Sequence, residues 1–143
     1  MTTRALVPGN RVLPDWHELW AAVRGSRGLD THPVTAIASG LARTHRLALT
    51  RDSALVARRR LGLIWAIDAW VAEHVRTADR RVSIGTYIDK LSAAAVAADE
   101  AVRHEGATGD VLHEVFTEAA EWAAGWTEIV DTAAPRTYRA GSG

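Results

Sequence analysis

From residue 14 to residue 131 the apolar residues recur at helical spacing, with short polar or glycine-bearing breaks, and nowhere at the two-residue spacing of a half-buried strand. That feature confines the chain to an all-α fold. Trp16, Leu19, Trp20 and Val23 share one face behind Asp15 and Glu18, which have capping-box spacing, so a short helix is predicted from about Trp16 to Arg24. Gly25 to Asp30 breaks it. Thr31 with Pro33 starts a second helix reaching about Leu49, and Asp52 caps a third to about Arg76. Ser83 caps a fourth to about His104, and Asp110 opens a fifth to about Asp131. Four long helices with short connections predict an antiparallel four-helix bundle with a short additional N-terminal helix, over residues 14–131. Residues 1–13 read as an irregular arm and residues 132–143 as a loose tail.

The helices differ in how much of their circumference is apolar. On the fifth, Leu112, Val115, Phe116, Ala119, Trp122, Trp126 and Ile129 point one way, and His113, Glu114, Thr117, Glu121 and Glu128 the other. The third is apolar over more than half its circumference, with Leu61, Ile64, Val71 and Val75 on one flank and Leu63, Ile67 and Trp70 on the other. That width predicts a central helix. The fourth has a main face of Ile84, Tyr87, Ile88, Leu91, Ala95 and Val102. A second seam of Gly85, Asp89, Ser92 and Val96 would let a neighbouring helix or a ligand come close.

Composition narrows the chemistry. A length of 143 residues suits one domain. With no cysteine there is no disulfide, thiolate catalysis or Cys-ligated metal. Seventeen basic residues against 17 acidic ones give no overall field for nucleic acid or an anionic membrane, so neither partner is expected. Apolar stretches such as Leu63–Ile67 are far short of the roughly 20 residues a membrane span needs. The N-terminus lacks the pattern of a secretory signal, which leaves a cytoplasmic location as the expectation. Sixteen of the 17 basic residues are Arg, as in a GC-rich bacterial genome, and this carries no functional weight. Six tryptophans are more telling, because each needs a covered face and a partner for its N–H.

Polar groups inside apolar stripes are the candidates for chemistry. His45 lies in the second helix's stripe, Arg60 and Asp68 in the third helix's arc with His74 near its edge, and Asp89 in the small-residue seam of the fourth. At about 1.5 Å of rise per residue, Asp68 stands roughly 18 Å and Asp89 roughly 13 Å from a turn near residue 80. The expected arrangement is one cluster of Asp68, Asp89 and tryptophan, and a second of His45 and Arg60 nearer the opposite end. Satisfied core residues that fix helix register account for the same pattern. The sequence has no phosphate-binding glycine loop, nucleophile elbow, dinucleotide fingerprint or His-Glu-x-x-His. Nor has it the paired Glu-x-x-His units of a di-iron bundle, so no metal and no cofactor are expected.

Three stretches together resemble a bacterial family known only as a domain of unknown function, number 4254. They are Leu41-Ala42-Arg43-Thr44-His45, the run Arg58-Arg59-Arg60-Leu61 through Ile67-Asp68, and Gly85-Thr86-Tyr87-Ile88-Asp89-Lys90-Leu91-Ser92. The resemblance covers about residues 14–131 in order and spacing; it implies an all-helical fold and supplies no activity. The chain departs from the pattern at Leu49-Thr50-Arg51-Asp52, at the arginines and Leu61 before Asp68, and at Glu100 in place of a histidine. Chemistry carried by those groups in other members would be lost or changed here.

Two functions fit this reading, and a third, a metal-binding helical protein, is disfavoured by the ligand spacing. The first is a tryptophan-lined small-molecule site doing cofactor-free acid–base or cyclisation chemistry, as in a biosynthetic pathway. Asp68, Asp89 and His45 would be its catalytic groups, with Arg60, Trp65, Trp70, Tyr87, Trp122 and Trp126 binding substrate. The second is a non-catalytic interaction module that pairs with itself, as a homodimer, or with another protein through exposed helix faces, with Trp16 and Trp20 as anchors.

Overall fold

The computed structural model describes residues 12–25, 32–51, 53–76, 83–104 and 106–136. Within them the chain forms an all-α bundle of α1 (Trp16–Val23), α2 (Pro33–Ala48), α3 (Ala54–His74), α4 (Ile84–Arg103) and α5 (Gly109–Thr132). Local chemistry sets the helix starts. Asp15 accepts from the Glu18 amide at 2.9 Å while the Glu18 carboxylate accepts from the Asp15 amide at 3.3 Å, closing the capping box. Ser83 caps α4 through the Thr86 amide at 3.0 Å. Two other caps fall one residue later than expected. His32 Nδ1 accepts from the Val34 amide at 3.0 Å, and Ser53 Oγ from the Val56 amide at 3.2 Å. Thr31 and Asp52, the expected caps, lie outside the described residues. Thr108 caps α5, which places Asp110 in its first turn.

Successive long helices run antiparallel, as their contacts show. Gly40 of α2 meets Leu63 of α3, and Gly85 of α4 meets Ile64 and Asp68 of α3. Tyr87 of α4 donates to the Trp122 carbonyl of α5 at 2.7 Å. The centre of the bundle is α4, which packs against all four other helices. Its buried residues include both Ile88 and Leu91 on the main face and Gly85, Asp89, Ser92 and Val96 on the small-residue seam. Small side chains let α2 and α3 close on that seam while the larger ones fill the opposite side.

The expectation of a central α3 is therefore corrected. Ile67 alone is fully buried on α3, while Leu61 and Trp65 are 62% and 72% exposed. A wide apolar arc on the wheel states what a helix can bury; among the described residues α3 has neighbours on one flank only, because α5 lies against α4 and α1. On α5 the apolar face is likewise incompletely covered, with Ala119 and Trp126 buried and Phe116 exposed.

Both expected loose ends are partly tied down. Leu13 is in the core, and the Pro14 carbonyl accepts from the buried Trp126 Nε1 at 3.0 Å. The tail pairs as a short antiparallel strand, β2 (Ala134–Pro135) against β1 (Val75–Arg76), and the Arg136 amide donates to the His74 carbonyl at 2.9 Å. These contacts join the C-terminal ends of α3 and α5.

Candidate functional site

Three helices each send one ionisable side chain to a common point. His45 (α2) donates through Nε2 to Asp89 Oδ1 (α4) at 2.8 Å. Arg60 (α3) donates through Nε to both carboxylate oxygens, at 3.1 and 3.2 Å. The convergence follows from helix register. Gly85 sits against Ile64, so one turn up α4 to Asp89 matches one turn back along α3 to Arg60. Gly85 makes the close approach possible, since a Cβ there would collide with the Ile64 carbonyl oxygen.

The environment is graded. The Asp89 side chain is 6% exposed, His45 18% and Arg60 41%, so the group opens to solvent on the Arg60 side. Burial alone would raise the Asp89 carboxyl. The hydrogen bonds and charges of His45 and Arg60 outweigh it and hold Asp89 below the usual carboxylate range. Asp89 is therefore an anion at neutral pH, and an anionic carboxylate only accepts. That fixes the proton on His45 Nε2 and leaves Nδ1 as the ring position able to exchange a proton. One turn further along the seam, Ser92 Oγ is buried with no hydrogen-bond partner among the described residues.

The remaining expected site residues fall in other places. Asp68 is not beside Asp89; it accepts from Ser83 Oγ at 2.7 Å and from the Gly85 amide at 2.8 Å, which makes it a second cap on α4. A tight turn near residue 80 would have set Asp68 and Asp89 at about the same level. The start of α4 in fact returns level with Asp68, about 9 Å back from the end of α3. Tyr87, Trp122 and Trp126 form an aromatic cluster between α4 and α5. Gly125 supplies the space for the Tyr87 hydroxyl, which a Cβ there would strike. Burial, and then the nearby Glu128 charge, raise the Tyr87 phenol above its ordinary value. Trp65 is in solvent on α3, away from any site wall. Trp16 and Trp20, the expected interface anchors, instead pack on each other at 4.8 Å and partly against the core.

A second polar–aromatic cluster lies at the far end of α3. Trp70 stacks on His74 with centroids 4.4 Å apart and meets the His32 ring edge-on at 4.9 Å. Val12, Pro33, Glu73, Pro135 and Arg136 complete an open groove around them. Because His32 Nδ1 accepts from the Val34 amide, its Nε2 carries the proton and donates to the Val12 carbonyl at 3.0 Å. Both ring nitrogens of His32 are thus committed to the fold. The sequence signal for this cluster was slight: Pro33 at a helix start, with a histidine before it.

Among the described residues, no group of three or more His, Asp or Glu side chains is placed to hold a metal ion, and no helix is long and apolar enough to cross a membrane. Comparison with family models, with curated proteins and with solved structures gave no match.

Proposed function

We propose that the chain is a small-molecule binding protein that exchanges a proton with an anionic ligand at the His45–Asp89–Arg60 group. The observation that carries this reading is the graded triad: a buried carboxylate, a histidine oriented by it, and an arginine open to solvent. Asp89 holds the ring through Nε2, so that Nδ1 is the position that can accept or return a proton. Arg60 commits Nε to Asp89; its terminal nitrogens have no hydrogen-bond partner among the described residues and suit a carboxylate or phosphate of the ligand. A proton removed beside a held anionic group is the common step of isomerisation, elimination and many cyclisations, and this step calls on no cofactor. Asp68 takes no part, because it is spent on capping α4.

The test is thermal shift against a panel of small mono- and dicarboxylates and organic phosphates, repeated with His45→Gln and Arg60→Gln. Compounds that raise the melting temperature of the wild type and lose that effect in both variants support the reading. Compounds that stabilise all three proteins alike, or a panel with no effect at all, count against it.

A further inference from the structure

We infer that the bare face of α3 is a self-association surface, on which a second copy of the chain lays its own α3 antiparallel. Ala54, Arg58, Leu61, Trp65, Ala69 and Ala72 are all exposed, and they succeed one another at steps of four and three residues. That spacing is the seam with which one helix packs on another. At its middle stand Leu61 and Trp65, at 62% and 72% exposure. An exposed tryptophan between an exposed leucine and two alanines is an apolar patch of the kind found at contacts between proteins.

The occupant is specified by the seam's symmetry. Counted outward from Trp65, positions 61 and 69 are equidistant, and so are 58 and 72. An antiparallel copy related by a two-fold axis through Trp65 therefore meets its own pattern. Each Leu61 falls opposite the small Ala69 of the second copy, so large and small side chains interdigitate. Each Arg58 falls opposite Ala72 and beside Glu73 of the second copy, giving two opposite-charge pairs at the ends of the seam. A parallel copy would set Arg58 against Arg58. From Arg58 to Ala72 the seam is about 21 Å long. A contact of one helix from each copy lies at the small end of stable interfaces, so the dimer is a weak one with a midpoint in the micromolar range.

Sedimentation velocity across a concentration series tests this on the full chain, with Trp65→Glu, Arg58→Glu, Glu73→Arg and the Arg58→Glu/Glu73→Arg double variant. The wild type should move with concentration from 15.5 kDa towards twice that mass. Trp65→Glu should raise the midpoint by about a hundredfold or more, because both copies lose the central anchor. Its helical circular dichroism should not change, since Trp65 is exposed. Each single charge reversal should weaken the dimer, and the double variant should restore it. A wild type that stays monomeric at every concentration overturns the inference. So does a dimer that survives Trp65→Glu, or a double variant weaker than both single ones.

Discussion

Replacing Asp89 by asparagine removes the charge from the triad while keeping the side chain's size. The wild-type carboxylate accepts at 2.8 Å from His45 and at 3.1 and 3.2 Å from Arg60. A hydrogen bond to a charged group contributes about 1.5–3 kcal/mol when shielded from water. The His45 contact is near that range, at 18% exposure, while Arg60 at 41% is well solvated and its share falls below about 1 kcal/mol. Asparagine keeps one acceptor oxygen and sheds the cost of burying a charge, so the expected net loss is about 2 kcal/mol at pH 7. The sign of the pH dependence follows from Asp89 being held below its ordinary value of 3.8. Its contribution is full above that value and disappears as pH falls through the folded-state value. Urea unfolding followed by circular dichroism should therefore separate wild type and Asp89→Asn by about 2 kcal/mol at pH 7, and by less at pH 3, below the ordinary value of 3.8. A difference under about 0.5 kcal/mol at pH 7, or one that is equal at both pH values, would refute the charge-assisted triad.

Other substitutions probe the packing around it. Gly85→Ala gains about 1 kcal/mol of helix propensity, yet its Cβ would collide with the Ile64 carbonyl; a net loss of about 2 kcal/mol in urea unfolding is expected, and a gain would show that α3 and α4 are further apart. Gly125→Ala should destabilise by a similar amount through the Tyr87 hydroxyl, and a double-mutant cycle with Tyr87→Phe should show the two effects coupled rather than additive. Tyr87 is raised above 10.0, so the un-ionised phenol supports the fold below that pH and its support fades as pH rises through the higher folded-state value. Tyr87→Phe should remove that alkaline loss from the stability profile. Ser92→Ala deletes a buried hydroxyl that has no partner among the described residues and should leave stability unchanged or raise it by about 1 kcal/mol, read as a shift in the urea midpoint.

The helices were readable because their signals are local. Asp15 and Glu18 close a capping box and Ser83 caps α4 as their spacing implies, and the second seam of α4 is buried along its length. Two starts were misplaced by one residue, because His32 and Ser53 took the role expected of Thr31 and Asp52. Any side chain with an acceptor two or three residues ahead of a free amide competes for that role. The wheel of α3 could not reveal which flank finds a neighbour, since that depends on where α5 lies. His45, Arg60 and Asp89 were each visible as polar groups in apolar stripes, and His45 was grouped with Arg60, but the place of Asp89 beside them was not visible. It depends on the return level of α4, which the capping of Gly85 and Ser83 by Asp68 sets. Reading Asp68 as a cap would have placed Asp89 opposite Arg60 at once.

The most direct measurement is two-dimensional ¹⁵N NMR of the His45 ring nitrogens at neutral pH, in the wild type and in Asp89→Asn. In the wild type, Nε2 should carry the neutral-state proton and its signal should respond to the loss of the Asp89 charge. A His45 ring that carries its neutral-state proton on Nδ1, or that gives the same spectrum with and without the Asp89 charge, would contradict the assignment of this group as the site.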